Sequence, residues 1–244
     1  MLTLLTTTGE RQRAWDLCQI WMARQTYSGP VRWVIVDDGK QQQETTFSRK
    51  HWELIFVRPE PFWDGSNTQA RNLQAGLAQI TGIEWVVIIE DDDYYAPQWL
   101  ETVFGQFKNA ELIGERRARY YNVQTNIWRR MENMTHASLC STAMRSNALT
   151  LFRDIATTEY KFIDIVLWEK AKSRHLFDSQ LTVGIKGLPG RAGIGSGHDP
   201  HFSGKFDHDG SKLREWIGAD SQYYMNDKDG KNATQADRTR RPIR

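Results

Sequence analysis

The sequence predicts an α/β protein, a sheet with helices on its faces, and three observations predict it. Apolar β-type runs alternate with segments of helical period over the first hundred or so residues. The run Trp85–Ile89 is continuously apolar, as in a central strand buried on both faces. Two such runs, VIVDDG (34–39) and VVIIEDDD (86–93), stop abruptly in carboxylates. Sheets of this class bind ligands beyond the carboxyl ends of their strands, so these acids stand where a ligand crevice is expected.

The elements follow in order. Leu2–Thr6 is a short strand ending before Gly9. Residues 10–25 set Ala14, Leu17, Cys18 and Trp21 on one helical face. Residues 31–39 form a strand stopped by Asp-Asp-Gly, and ELIFV (53–57) a further strand before Pro59 and Pro61. In residues 68–80, Ala70, Leu73, Leu77 and Ile80 recur at helical spacing. After the strand at 84–89, Pro97 opens a helix whose buried face is Leu100, Val103, Phe104 and Phe107. The second half is less regular. Two strands are expected around Thr125-Asn126, a helix over 162–172, and a loop over the glycine- and proline-rich 187–204. Residues 225–244 read as a loose polar tail.

The chain has 244 residues, enough for one large domain with a sizeable core. Its net charge of +2 says little about partners, although GERRAR (114–119), WRR (128–130) and RTRRPIR (238–244) are locally basic. The two cysteines, Cys18 and Cys140, form neither a disulfide framework nor a zinc spacing, which favours a reducing compartment. The N-terminus lacks the pattern of a signal peptide, and no apolar run approaches a membrane span. A soluble, cytoplasmic protein is expected.

Four adjacent acids, Glu90 to Asp93, repel one another unless solvent or a cation compensates them. Carboxylates completed by substrate phosphates are a usual way of holding Mg²⁺ or Mn²⁺, and such an ion neutralises a departing diphosphate. A solvated acidic turn is the plainer reading of any one acidic cluster. The second acidic strand end, Asp37-Asp38, weighs against it here.

VIVDDG, followed by GSNTQARNLQAGLAQITGIEWVVIIEDDDYYAP (65–97), resembles the nucleotide-sugar half of family 2 glycosyltransferases with the GT-A fold. The ordered set comprises a strand ending in Asp-Asp-Gly, an Ala-Arg-Asn helix, a strand ending in an Asp-x-Asp type motif, and a proline shortly after. It covers roughly residues 2–107. The resemblance implies a single GT-A domain with a Rossmann-like mixed sheet. Residues 1–110 would form the nucleotide-sugar half and 111–224 the acceptor and catalytic half. It also implies roles. Asp38 is similar to the acid that bonds the uracil of a UDP-sugar, Thr7 to a residue cradling the nucleoside, and Arg71 to the base bracing the acidic motif and the diphosphate. Asp91 would reach ribose or metal, and Asp92 would bind the metal directly. Glu90 stands where aspartate is more usual. TTTGERQ departs from the family's Pro-Thr-Tyr-Asn-Arg, which puts a stacking contact to the base in doubt.

Transfer with inversion needs a carboxylate to deprotonate the acceptor hydroxyl. The resemblance assigns this to Asp164, in the first turn of the helix at 162–172, where the helix dipole favours an ionised acid. Capping that helix is its plainer role, and Asp154 and Glu159 are the nearest substitutes. Residues 134–149 resemble the family's acceptor floor, and His136 there reads as a structural histidine or a substrate contact. His198, preceded by Gly195-Ser196-Gly197, is preferred over His201 as a late metal ligand from a flexible loop.

The acceptor stays open. The basic segments interleave with Tyr120, Tyr121 and Trp128, which suits DNA, and hydroxymethyl-pyrimidines are acceptors of some bacteriophage enzymes, whose place would be the host cytoplasm. An ordinary solvated basic face fits equally. Surface polysaccharide or protein acceptors, a nucleotidyltransferase of similar fold, and a non-enzymatic nucleic-acid-binding module are the alternatives.

Overall fold

The computed structural model describes residues 1–81, 84–158, 162–193, 195–198 and 202–225. Its architecture follows from the two-residue period of apolar strands. Strands β1 (Leu2–Thr8), β2 (Val31–Asp37), β3 (Trp52–Val57) and β4 (Trp85–Ile88) lie parallel, in the order β4-β1-β2-β3. Successive side chains enter opposite faces. Leu4, Trp33, Ile35 and Val87 join one core; Leu5, Val34, Val36, Val86 and Ile88 join the other. Both faces must therefore be covered, which is the condition that makes a parallel sheet read as unbroken apolar runs.

The chain continues through β5 (Tyr94–Tyr95), β6 (Leu112–Glu115), β7 (Arg119–Asn122), β8 (Ile127–Arg130), β9 (Thr142–Met144), β10 (Arg174–Phe177), β11 (Thr182–Lys186) and β12 (Lys205–Phe206). The main sheet has seven strands in the order β10-β6-β9-β4-β1-β2-β3, so β4 is its central strand, as expected. Only β9 runs antiparallel to its neighbours β4 and β6. A five-stranded sheet, β12-β8-β7-β11-β5, packs on the first core.

The helices are α1 (Gln12–Ala23), α2 (Gln69–Leu77), α3 (Trp99–Gln106), α4 (Ser146–Ala156), α5 (Ile163–Lys170), α6 (Ser211–Ile217) and α7 (Gln222–Met225). Helices α1 and α3 cover the first face of the main sheet; α2, α4 and α5 cover the second. On α1 the expected face, Ala14, Leu17, Cys18 and Trp21, is fully buried. On α3 the expectation fails at Phe104, which is 52% exposed and rests against Tyr27 and Phe107 at the rim. That helix spans only two turns, and Phe104 falls outside its packed stripe of Trp99, Leu100 and Val103.

The second half is more regular than its sequence suggests. The expected strand pair around Thr125-Asn126 forms as β7 and β8. The segment read as an acceptor floor resolves into β9 and α4, and β6 and β10 extend the main sheet. These strands are three to four residues long, too short to show a period. Of the expected tail, 225–244, Met225 ends α7 and residues 226–244 lie outside the described residues.

Helix α2 rests directly on β1 and β2 at Gly76. A Cβ there would lie 2.3 Å from Leu5 Cδ1 and 2.9 Å from Val36 Cγ2. Gly76→Leu is therefore expected to destabilise the fold by about 1–3 kcal/mol through overpacking. The check is a lower urea midpoint at constant slope, and an unchanged midpoint would contradict so close a seat.

Candidate active site

Because β1, β2 and β4 are parallel, their carboxyl ends share one edge of the sheet. Pairing runs on past the strands, with Asp38 N–H donating to Thr8 O (3.2 Å) and Ile89 N–H to Leu5 O (3.0 Å). Beyond this edge lies a cavity of about 200 Å³. Thr7, Thr8, Arg11, Glu90, Asp91 and Asp92 line it from the first half of the chain. Tyr120, Ser138, Asp164, Lys186, Arg191 and His198 line it from the second.

The acids after β4 are not a solvated turn. Asp91, Asp92 and Asp93 are 1%, 4% and 0% exposed. Arg11 bridges the first two, with Nη1 2.9 Å from Asp91 Oδ1 and Nη2 2.9 Å from Asp92 Oδ2. Thr8 Oγ1 donates to Asp91 at 2.6 Å. Lys186, at the end of β11, places Nζ 2.9 Å from Asp93 and 3.5 Å from Asp92. Asp93 also accepts from Ile185 N–H (2.9 Å), so it faces the interior and ties the two sheets together. His198 Nε2 stands 3.2 Å from Asp92 Oδ2.

Burial and partners pull these carboxyls in opposite directions. Burial pushes Asp91 up to about 6 despite Arg11. Burial acts on Asp92 too, but Lys186, Arg11 and His198 outweigh it and hold Asp92 well below the ordinary carboxylate range. At Asp93, burial outweighs Lys186 and the pKa rises. Asp92 is thus the member kept firmly ionised, and it faces the cavity.

The other strand end divides its work. Asp37 closes a turn, accepting from Gly39 N–H (2.9 Å) and Gln43 N–H (2.8 Å). Asp38 is completely buried and does not line the cavity. Its Oδ1 accepts from Arg191 Nη1 (2.7 Å), and its Oδ2 from Thr68 Oγ1 and from Arg71 Nη2 (3.2 Å). Arg71 spends its remaining reach on the Pro61 carbonyl. The brace expected of Arg71 on the acidic motif is therefore supplied by Arg11, and Arg71 braces Asp38 instead.

Asp164 lies in the first turn of α5 and lines the same cavity as Asp92 and His198. Burial raises its pKa, while the Ile165 N–H, His136 and the Leu139 N–H oppose that rise. His136 does not itself line the cavity, and Asp154 is exposed on α4. Glu159 and His201 lie outside the described residues. The glycine-rich loop earns its composition by close approach. A Cβ on Gly193 would sit 2.3 Å from His198 Nε2, and one on Gly197 2.8 Å from Lys186 Cγ.

A family model described as glycosyl transferase family 2 matches residues 20–165, more than half of the chain. The chain belongs to glycosyl transferase family 2. Solved structures with the same fold include S. aureus TarS (12% identity, TM-score 0.52, covering 76% of this chain and 37% of that one). They also include S. aureus TarS 1-349 in complex with UDP-GlcNAc (15% identity, TM-score 0.53, 79% of this chain and 60% of that one). The family 2 chain thus has the GT-A fold expected of it and spans less than two thirds of the length of these neighbours. No curated protein matches its sequence. None of its described helices is long and apolar enough to cross a membrane.

Of the expected site residues, Thr7, Asp91, Asp92, Asp164 and His198 converge on one cavity, whereas Asp38 and Arg71 stand behind Arg191. Arg11, Ser138, Lys186 and Arg191 line the cavity and were missed by sequence reasoning; Tyr120, named there only as an acceptor-side aromatic, lines it too. A buried lysine ending a short strand leaves no mark in one sequence; the run KGLPGRAG at least joins cations to glycines. The basic segments mostly serve the protein. Arg116 pairs with Asp178 and Arg117 with Asp178 and Glu132; Arg119 turns inward to the Thr182 and Gln180 carbonyls. Tyr121 is buried, with its hydroxyl on Asp207, whereas Arg129 and Arg130 are exposed.

Removing Lys186 leaves buried carboxylates uncompensated. Lys186→Met is expected to cost about 3–5 kcal/mol at neutral pH. The folded-state pKa of Asp93 is already raised and must rise further without the lysine, so the deficit grows as pH rises and narrows as Asp93 takes a proton. Urea unfolding of variant and parent at about pH 7.5 and about pH 5.5 reads this difference, and a pH-independent gap would contradict it.

Proposed function

We propose that this chain transfers a sugar from a UDP-sugar to an acceptor hydroxyl with inversion at the anomeric carbon. The observation that carries it is the convergence of Asp164 with the Asp92–His198 pair on one cavity. A base for the acceptor and a charged station for the leaving group are both needed, on opposite sides of one reacting carbon. The UDP assignment is supported by the matched TarS 1-349 structures, solved in complex with UDP-GlcNAc and with UDP.

The residues present fit a divalent cation. A carboxylate with an imidazole suits Mn²⁺, or Mg²⁺ with more water; Asp92 Oδ2 stands 3.2 Å from His198 Nε2 and also takes Arg11 Nη2 at 2.9 Å and Lys186 Nζ at 3.5 Å, so an ion there would replace those cations on this oxygen. Asp92 and His198 would hold the ion, which when bound offsets charge on the departing diphosphate. The protein's own groups do the rest. The Asp164 carboxylate takes the acceptor proton as the hydroxyl oxygen bonds to the anomeric carbon. The bond from that carbon to the diphosphate oxygen breaks, and its electron pair leaves with UDP. Arg11, Lys186 and Arg191 add fixed positive charge around the same cavity.

Residues 1–110 would form the nucleotide-sugar half and 111–224 the acceptor and catalytic half, with Lys186, Arg191 and His198 reaching back across. Residues 225–244 would follow as a polar tail. The exposed Arg129 and Arg130 beside Trp128 suit a nucleic-acid phosphate backbone, and hydroxymethyl-pyrimidine in DNA is the acceptor suggested by the resemblance to bacteriophage enzymes. The free, buried Cys18 and Cys140 support a reducing, cytoplasmic setting.

The test is a panel of nucleotide sugars with Mn²⁺, scored for released nucleoside diphosphate, with hydroxymethylated DNA, polysaccharide or no acceptor. UDP release that DNA stimulates, with sugar retained on the DNA, is expected; release of pyrophosphate would identify a nucleotidyltransferase. Asp92→Ala should lose metal-dependent donor binding. Asp164→Ala should keep donor binding and lose transfer by about 10²–10⁴-fold. Because burial raises Asp164, the acid limb of kcat/KM should lie above the ordinary aspartate range, with activity falling as pH drops through it. Equal turnover by wild type and Asp164→Ala would remove that residue from the mechanism.

A further inference from the structure

Asp38 offers no free edge to a ligand. It is fully buried, and both its oxygens are engaged, by Arg191 on one side and by Thr68 and Arg71 on the other. What lines the cavity at that end is Arg191, whose guanidinium lies 4.6 Å over the Trp63 ring and donates to Thr68 Oγ1 at 2.6 Å. Arg191 is therefore a cation parked on an acid, between that acid and the substrate space. Arg191 lines the same cavity as Arg11 and Asp91.

Resting on the UDP-sugar reading, we propose that Arg191 is a specificity-determining residue that exchanges Asp38 for the donor's diphosphate. In the free protein the pair is closed. A donor brings two groups at once: an N–H on its base, which replaces Arg191 on Asp38, and a diphosphate, which replaces Asp38 on Arg191. Neither charge is left unpaired in a buried place, where an unpaired charge is costly. A nucleoside alone brings only the first group. It must break the ion pair and strand the guanidinium, so it binds poorly. The site thus selects for the complete nucleoside diphosphate, although base and phosphate occupy separate contacts.

The residue types suit such an exchange. A guanidinium is a planar fork that matches carboxylate and phosphate geometry alike, and it stays charged throughout. The Trp63 face holds the plane of the fork by cation–π attraction while its partner changes. Thr68 remains on Asp38 in either state and keeps that carboxylate oriented.

Calorimetric binding of uridine and UDP, with Mn²⁺, to the full chain tests the exchange. In wild type UDP should bind far more tightly than uridine. In Arg191→Ala, UDP should weaken by about 10–100-fold, the loss of one charge-assisted contact, while uridine binds as well or better because Asp38 is released. Arg191→Lys keeps the charge and should retain most of the preference for UDP. A uridine and a UDP affinity that fall by the same factor in Arg191→Ala would overturn the exchange, as would unchanged UDP binding. If wild type binds another nucleoside diphosphate instead, that base's nucleoside and diphosphate make the same comparison. Failure of wild type to bind any nucleoside diphosphate would instead bring down the donor reading on which the exchange rests.

Discussion

Carboxylates buried at the end of a central strand must be matched by cations that the fold itself delivers, and the rest of this molecule is arranged around that requirement. Asp91, Asp92 and Asp93 are too buried for water to carry their charge. Arg11 and Lys186 carry it instead, from opposite sides and from distant parts of the chain. Two cations do not cancel the acids of residues 90–93. Burial raises the pKa of Glu90 and of Asp93, which lessens the negative charge that the two cations must meet.

The sheet makes this placement possible. Parallel order brings the ends of β1, β2 and β4 to one edge, and coverage of both faces keeps that edge rigid. The second sheet then presents Lys186 at the end of β11, with Asp93 accepting both the Lys186 ammonium and the Ile185 amide. One carboxylate therefore belongs at once to the join between the sheets and to the electrostatics of the site. Fold stability and donor chemistry are coupled at this point because the same charges serve both.

The fold was legible where the hydrophobic period was long. Residues 31–37 and 85–88 announced strands of an α/β sheet, and Ala14, Leu17, Cys18 and Trp21 announced α1. It was illegible where strands were three or four residues long, as at Thr142–Met144, whose pairing is decided by the gap between β4 and β6 and not by its own composition. The site divides in the same way. Asp92, Asp164 and His198, named from the family resemblance, line one cavity. Arg11, Lys186 and Arg191 could not be named, because a cation's partner is set by tertiary packing. Arg71 shows the cost of reading a motif without it: the residue is where the motif puts it, but its acid is Asp38.

The cations also change what the two halves of the chain mean. By order of sequence, residues 1–110 hold the acids and 111–224 hold the proposed base. In space, the acids of the first half are completed by Lys186, Arg191 and His198 of the second, all within thirteen residues, 186–198. Arg191 and His198 lie seven residues apart in one loop, and each caps a different strand end, Asp38 and Asp92. A ligand that spans both acids, with a base at one end and a diphosphate at the other, would touch both ends of this loop at once. A ligand that satisfies only one acid leaves the loop's other contact in place. Recognition of the whole donor can then be a property of one short segment held at two points, which is a simpler device than independent readers for base and phosphate.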